Sequence, residues 1–207
     1  MKPARIIIFA KAPQPGFAKT RLIPALGAER AAELARQMLL NTLREALAAD
    51  IGPVELCVTP EINQAAWQGI YLPAGIEIFA QGEGDLGARL GSASERALQN
   101  AELVLLIGTD CVEMHGGLLL AAAQALQERD AVIHCTADGG YALLGLRRFS
   151  PFLFSDMPWS TDAVADTTIA RIGQLGWSVH VGQMLHDVDE PQDLKYLPDQ
   201  WRLHVKA

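Results

Sequence analysis

The sequence predicts an α/β fold of three layers, in which helices cover both faces of a mostly parallel β-sheet. Short, β-branched apolar runs alternate along the chain with longer helical patterns, and this alternation is typical of right-handed strand–helix–strand units. Half of the 207 residues are hydrophobic, which supplies enough apolar side chains for one core. We therefore expect a single domain that spans residues 1–207.

Five apolar runs have the unalternated pattern of strands that are buried on both faces: Arg5–Ala10, Val54–Thr59, Ile76–Ala80, Leu103–Gly108 and Ala131–Cys135. Two further strands are predicted at Tyr141–Leu146 and Trp177–Val181. Helical patterns lie between the strands, at Ala28–Ala49, Gly87–Asn100, Gly117–Arg129 and Ala163–Leu175. Ligands of such sheets bind beyond the carboxyl ends of the strands, so polar residues that follow a strand are the candidates for function.

The charge and the cysteines restrict the class of protein. A net charge of -7 disfavours a general affinity for nucleic acid or anionic lipid, so we expect small-molecule partners and neither nucleic acid nor membrane. The three cysteines are widely spaced and fit neither a disulfide framework nor a zinc site. The apolar run near the N-terminus is too short for a signal peptide or a membrane span, so a cytoplasmic protein is expected.

A basic loop follows the first predicted strand and is a candidate phosphate site. It contains Lys11, Lys19 and Arg21, whose side chains donate charge-assisted hydrogen bonds to phosphate, and Gly16, which lets a ligand approach the backbone. Ala18 stands where a Walker A loop requires glycine, so this is not a P-loop. The alternative is a solvated basic loop.

A second loop, Gln81–Gly87, contains the spacing GxGxxG after a strand and before a helix. Its two carboxylates would repel a pyrophosphate, so a dinucleotide-binding fold is not predicted. The loop either contacts a nucleotide or is a glycine turn in which Asp85 caps the following helix, and the sequence leaves both open.

Two acidic segments follow predicted strands. Asp110 comes directly after the most apolar strand, and Asp187 and Asp189 alternate on one face of an extended segment after the last strand. Such carboxylates suit Mg²⁺ or Mn²⁺, which take one or two of them together with phosphate oxygens and water. The later segment also has the pattern of a helix start, with Asp189 or Glu190 as the cap and Pro191 in the first turn, and both interpretations can hold at once.

The segment Asp138-Gly139-Gly140 lies between two predicted strands. Its glycines would let an acceptor approach, and Asp138 could orient or deprotonate a hydroxyl group. The pattern alone favours a hairpin turn. Trp159 and Ser160 lie in a later loop and either line a pocket or pack against the core.

Taken together, the segments FAKAPQPGFAKTRL, QGEGDLGARL, LLIGTD, ADGGYALLGL, WSTD and DVDEPQDL resemble, in this order, the DUF2064 family of bacterial proteins. That family is similar to nucleotide-diphospho-sugar transferases of the glycosyltransferase-A (GT-A) fold. It is more distantly similar to the phospholactate and molybdenum-cofactor guanylyltransferases. The chain departs from the family pattern at Val112 and at Cys135-Thr136.

The resemblance implies a role for each group of candidate residues. Lys11, Gly16, Lys19 and Arg21 would hold the nucleotide phosphates; Gln81, Gly82 and Asp85 would lie near the base or ribose; Asp110, Asp187 and Asp189 would bind the metal; and Asp138, Gly139, Gly140, Trp159 and Ser160 would face the acceptor. Lys19, Arg21, Asp110 and Asp138 would then be the catalytic set.

The resemblance also implies a function. The expected activity is metal-dependent transfer from a nucleotide-diphospho-sugar to a small-molecule acceptor. A nucleotidyltransferase that condenses a nucleoside triphosphate with a small phosphorylated acceptor is one alternative, and a non-catalytic nucleotide-binding protein is another. The oligomeric state stays open, with a homodimer among the alternatives.

Overall fold

The computed structural model describes residues 2–205, which form seven strands and six α-helices within that range. The strands are β1 (Ala4–Lys11), β2 (Val54–Thr59), β3 (Ile76–Ala80), β4 (Leu103–Ile107), β5 (Ala131–Cys135), β6 (Tyr141–Leu146) and β7 (Val179–Val181). The helices are α1 (Ile23–Leu26), α2 (Ala28–Ala48), α3 (Leu86–Leu98), α4 (Gly116–Ala125), α5 (Val164–Gln174) and α6 (Asp199–Val205). In this described part, no helix combines the length and the apolar character that a membrane crossing needs.

The seven strands form one sheet in the order β3-β2-β1-β4-β6-β5-β7. Every neighbouring pair is parallel except the two that involve β6, which runs antiparallel to β4 and to β5. A tight turn joins β5 directly to β6, so the hairpin that the sequence favours at Asp138–Gly140 is present. The turn therefore lies at the same sheet edge as the carboxyl ends of β1 and β4.

Helices pack on both faces of the sheet, so the predicted three-layer arrangement is confirmed. On one face, Leu39 and Leu43 of α2 and Leu119 of α4 join the buried side chains of β1, β2 and β4. On the other face, Leu90 of α3 and Ile172 of α5 pack against the sheet. Strong helix formers account for α2, and the Asp85 carboxylate, which accepts a hydrogen bond from the Ala88 amide at 2.8 Å, fixes the start of α3.

Several details differ from the sequence prediction. The expectation that Ile76–Ala80 is buried on both faces is wrong, because β3 is an edge strand and its Ile78 side chain is 40% exposed. Helix α4 ends at Ala125 instead of Arg129, and β7 begins at Val179 instead of Trp177. The C-terminal helix α6 has no counterpart among the predicted elements.

A third apolar cluster joins the beginning and the end of the chain beside the sheet. Leu22, which follows the basic loop, and Val188, which lies between two aspartates, are both fully buried there with Met38 and Trp201. This burial fixes the N-terminal basic loop next to the C-terminal acidic segment, although 166 positions separate the two buried residues (188 minus 22). The position of the site follows from this packing.

Candidate active site

A cavity of about 750 Å³ opens at the carboxyl ends of β1 and β4. This volume lies in the range of about 300–1,000 Å³ that is usual for small-molecule sites. Most of the residues that the sequence predicts for the site border it: Lys11, Lys19, Arg21, Gln81, Asp110, Asp138, Gly140, Trp159, Ser160, Asp187 and Asp189. The fold therefore brings together groups from five separate stretches of the chain.

The two acidic segments meet through the main chain. Asp110 follows β4, and its carbonyl oxygen accepts a hydrogen bond of 2.9 Å from the Val188 amide. Because Val188 is buried in the third apolar cluster, its neighbours Asp187 and Asp189 both lie along the cavity. Just beyond them, the helix start that the sequence allowed is also present, since the Asp193 carboxylate accepts hydrogen bonds from the Asp189 and Glu190 amides.

Lys19 lies between two of these carboxylates. Its ammonium group pairs with Asp110 and, at 2.8 Å, with Asp189, and its side chain is only 6% exposed. Burial alone would lower the pKa of Lys19, but the two carboxylates outweigh it and raise the pKa above its ordinary value. The lysine is therefore held as a cation.

The site as a whole contains more negative than positive charge. Burial, together with the carboxylates of Asp110, Asp189 and Asp138, raises the pKa of Asp187 to about 7, and Lys19 offsets only part of this. Carboxylate oxygens are the ligands that Mg²⁺ and Mn²⁺ prefer, so the chemistry of Asp110, Asp187 and Asp189 fits a divalent ion. Within residues 2–205, no three acidic, histidine or cysteine side chains converge as metal ligands do; Lys19 lies among the carboxylates instead.

The β5–β6 turn places Asp138 beside the Asp187 segment, to which the turn is joined by a hydrogen bond of 3.0 Å from the Ala137 amide to the Leu185 carbonyl oxygen. One oxygen of its carboxylate, Oδ1, accepts hydrogen bonds from the Thr136 hydroxyl at 2.5 Å and from the Gly140 amide at 3.1 Å. The other oxygen has no hydrogen-bond partner among the described residues. Asp138 is thus oriented by its own turn, with one oxygen left for a ligand.

Four of the predicted residues do not border the cavity. Gly16 and Gly82 are exposed turn residues with positive φ, and Asp85 caps α3, which is one of the two alternatives that the sequence left open. At Gly139, an added Cβ would lie 2.1 Å from the Asp162 carbonyl oxygen. This glycine allows the turn to pack against the loop that contains Trp159 and Ser160.

Gln81 borders the cavity, but its side-chain amide forms several hydrogen bonds within the protein. Its Nε2 group donates hydrogen bonds of 3.1 Å to the carbonyl oxygens of Ala10 and Cys57, at the ends of β1 and β2. Its Oε1 atom accepts from Arg89 at 3.4 Å. Gln81 therefore fixes the strand ends that border the cavity.

The sequence reasoning missed the apolar wall of the cavity. Phe9, Leu86, Leu90 and Leu106 line it, as does Phe17, whose side chain is 63% exposed. Trp159, which the sequence predicts for the site, also lines the cavity and packs edge-on against Tyr141, with ring centroids 6.5 Å apart. The exposed Phe17 in a polar loop was the one available signal, because the other side chains have the pattern of ordinary core residues.

A smaller cavity of about 260 Å³ lies on the far side of the same carboxylates and shares Arg21, Asp138, Asp187 and Asp189 with the larger one. Its outer wall is His186, which stacks on Tyr196 with ring centroids 4.0 Å apart and pairs with Glu113 at 3.1 Å. The acidic residues therefore stand between two adjoining spaces.

Proteins of known structure share this architecture. A protein from Desulfovibrio desulfuricans G20, whose assignment as a nucleotide-diphospho-sugar transferase is itself provisional, matches with a TM-score of 0.87 and 29% identity, over 97% of this chain and 88% of that one. CMP:2-keto-3-deoxy-manno-octonic acid synthetase in complex with CTP matches with a TM-score of 0.60 and 13% identity, over 98% of each chain. Rv0371c from Mycobacterium tuberculosis H37Rv, in a complex with manganese, matches with a TM-score of 0.55 and 16% identity, over 94% of this chain and 97% of that one.

These similarities define the class of the protein as the nucleotide-diphospho-sugar transferase-like α/β fold, as the sequence predicts. The sequence profile of DUF2064, described as an uncharacterized protein conserved in bacteria, matches residues 42–161. The chain belongs to this family, because the match covers more than half of its length. No curated protein matches the sequence.

Proposed function

We propose that the chain is a metal-dependent transferase that uses a nucleotide-diphospho-sugar donor. The observation that supports this most directly is the convergence of Lys19, Asp110 and Asp189 at the carboxyl ends of the strands, inside a cavity large enough for such a donor. The likeness to the Desulfovibrio protein over nearly the whole chain supports the same class of donor.

In this proposal the residues on the donor side of the cavity have distinct roles. Asp110, Asp187 and Asp189 would hold Mg²⁺ or Mn²⁺, which would supply positive charge to the leaving diphosphate. Lys11, Lys19 and Arg21 bind the phosphate oxygens, and the apolar wall that includes Leu86 and Trp159 borders the remainder of the donor. Gln81 supports the nucleotide end through the strand ends that it joins.

The reaction transfers the sugar to an acceptor hydroxyl group. The acceptor oxygen forms a bond to the anomeric carbon, the bond from that carbon to the diphosphate breaks, and the nucleoside diphosphate leaves with the electron pair. The free oxygen of Asp138 takes the acceptor proton, while Gly140 and Ser160 border the acceptor. Catalysis comes from positioning and from charge that is already in place.

Nucleotidyl transfer is the second candidate. Three cationic side chains, Lys11, Lys19 and Arg21, border one cavity, and this number is sufficient for a triphosphate. In that case pyrophosphate leaves instead of a nucleoside diphosphate. The two reactions are thus distinguished by their products.

A paired binding and product assay tests the proposal. Nucleotide sugars and nucleoside triphosphates are screened by thermal shift with and without Mg²⁺, and ligands that bind are then incubated with a panel of hydroxylated acceptors. We expect a nucleotide sugar to raise the melting temperature by several degrees, roughly the effect of ligand at 100 times Kd, only with Mg²⁺. We also expect nucleoside diphosphate to be released.

Matched variants assign the result to the site. Asp110→Asn should remove the Mg²⁺-dependent part of the shift and lower turnover at least about 100-fold, because it removes a charged oxygen ligand. The control is Glu61→Gln, an exposed carboxylate away from both cavities. Release of pyrophosphate from triphosphates would favour the second candidate, and binding without any turnover would favour a non-catalytic nucleotide-binding protein.

A further inference from the structure

Lys19 is the most unusual group of the site, because a lysine side chain that is only 6% exposed lies where two acidic side chains face each other. A buried ammonium group needs partners for its charge and its donors. Asp110 and Asp189 provide them here. The pair of carboxylates thus already has a cation of its own.

The surrounding structure holds the lysine in this place. Its backbone is left-handed, with φ of 47°, and the fully buried Leu22 anchors the 3₁₀ helix that follows directly. Asp110 and the acidic segment are joined to each other by the Val188–Asp110 main-chain hydrogen bond. The main chain is therefore fixed on both sides of the ion pairs, although the Asp110 and Asp189 side chains are 47% and 40% exposed.

Electrostatics makes this arrangement incompatible with a divalent ion at the same carboxylates. An ammonium group and a 2+ ion that share Asp110 and Asp189 would lie within a few ångströms of each other, and their repulsion is severe in a partly buried site. A metal that binds must therefore displace Lys19 from the carboxylates. The ammonium group then needs another anion, and a phosphate group in the adjoining cavity supplies one.

We infer that Lys19 is a resident counter-ion that occupies the place of the metal until the nucleotide arrives. This inference rests on the proposed function. The nucleotide phosphates draw Lys19 away from Asp110 and Asp189, and the two carboxylates become available to Mg²⁺ or Mn²⁺. Metal and nucleotide then bind with positive coupling, and by linkage each raises the affinity of the site for the other by the same factor.

Manganese binding without nucleotide tests the inference directly. The affinity of the full-length protein for Mn²⁺ is measured by electron paramagnetic resonance and by calorimetry for the wild type, Lys19→Met and Lys19→Arg. We expect Lys19→Met to bind Mn²⁺ about tenfold more tightly than the wild type, a difference of about 1.4 kcal/mol, because the competing cation is gone. Lys19→Arg keeps the charge and should resemble the wild type.

Lys11→Met is the matched control, because Lys11 borders the same cavity and forms no ion pair among the described residues. It should weaken nucleotide binding without tightening Mn²⁺ binding. Equal or weaker Mn²⁺ binding by folded Lys19→Met would overturn the inference. If Lys19→Met does not fold in metal-free buffer, Mn²⁺ should restore the folding of this variant or of Lys19→Gln. Failure of Mn²⁺ to restore folding would also overturn the inference.

A second measurement distinguishes failure of the inference from failure of the proposed function. Mn²⁺ titrations are repeated with saturating nucleoside diphosphate, and the nucleotide should increase the Mn²⁺ affinity by a larger factor in the wild type than in Lys19→Met. If no nucleotide binds to the wild type, the proposed function is wrong. The nucleotide-free comparison still decides whether Lys19 competes with the metal.

Discussion

Within residues 2–205, two ion-pair clusters join three or more charged side chains, one in the core and one in the candidate active site, and they differ in charge balance. In the core, the fully buried Glu55 of β2 pairs with Arg96 of α3 and, at 3.4 Å, with Arg5 of β1. Arg5 also pairs with Glu77 at 2.6 Å. Two carboxylates thus face two guanidinium groups, and the charges cancel.

In the candidate active site, the charges do not cancel. The single ammonium group of Lys19 faces Asp110 and Asp189, and two further carboxylates, Asp138 and Asp187, lie close by. The charges of the core cluster are balanced within the protein, whereas under the proposed function the site cluster gains a cation from outside. An unbalanced, partly buried cluster thus indicates a ligand site, whereas a balanced one has a structural role.

Breaking the core cluster should have the largest effect on stability. Arg96→Met keeps an aliphatic contact with Phe79 but leaves the buried Glu55 with Arg5, at 3.4 Å, as its one cationic partner among the described residues, so we expect the free energy of unfolding to fall by about 3 kcal/mol. Urea unfolding measures this change. Arg44→Met, on the exposed side of α2, should change it by less than about 0.5 kcal/mol.

The same Arg96→Met protein should bind Mn²⁺ with the affinity of the wild type at a temperature where it is folded. A coupled loss of metal binding would mean that the two clusters are not separate. The core cluster would then contribute to the metal site as well as to stability.

Removing one negative charge from the candidate active site should raise the free energy of unfolding instead of lowering it. The pKa of Asp187 is raised from 3.8 to about 7, so its contribution to stability decreases as the pH rises through that interval and is lowest above it. In metal-free buffer near pH 8, Asp187→Asn should therefore be more stable than the wild type by about 2 kcal/mol. Chemical unfolding with and without Mg²⁺ measures this difference, and Mg²⁺ should abolish it.

Asp162→Asn provides the matched control, because Asp162 is exposed at the rim of the same cavity. We expect it to change the stability by less than about 0.5 kcal/mol. If Asp187→Asn were less stable than the wild type in metal-free buffer, the carboxylate would be satisfied within the protein. Asp187 would then be a carboxylate whose charge is balanced within the protein, as the charge of Glu55 is.

A buried histidine without a charged partner should change the stability by a smaller amount. His134 is 5% exposed, burial lowers its pKa below 6.5, and its Nδ1 atom lies 3.1 Å from the Gln183 carbonyl oxygen. Its stabilising contribution is complete above 6.5 and is lost as the pH falls from there toward the lowered pKa. Between about pH 7.5 and 5.5, the wild type should lose about 1 kcal/mol more than His134→Gln.

Urea unfolding at the two pH values measures this loss. Because His180 also lowers the pKa of His134, His180→Gln should reduce the pH dependence slightly. Identical pH profiles for the wild type and His134→Gln would show that His134 does not contribute to the pH dependence of stability.

The sequence predicted the fold and the meeting of distant residues because both follow from local patterns. Asp110 follows the most apolar strand, and the alternation at Asp187-Val188-Asp189 already separates a buried face from a polar one. The rule that ligands bind beyond the carboxyl ends of parallel strands then places both segments at one edge.

Other features depend on tertiary contacts that no local pattern encodes. The exposure of β3 follows from its position at the edge of the sheet, and its composition resembles that of a central strand. The pairing of Lys19 with Asp110 and Asp189 depends on how Leu22 and Val188 pack. Whether Asp85 caps a helix or contacts a nucleotide likewise depends on the rotamer of one side chain.

The reversed direction of β6 has a consequence for how the family can diversify. Because β5 returns at once through β6, the turn with Asp138 and the loop with Trp159 and Ser160 come from one uninterrupted stretch, residues 131–162. The basic loop and Gln81 belong to earlier parts of the chain. Under the proposed function, substitutions within this single stretch can change acceptor preference while the groups assigned to the donor phosphates stay unaltered.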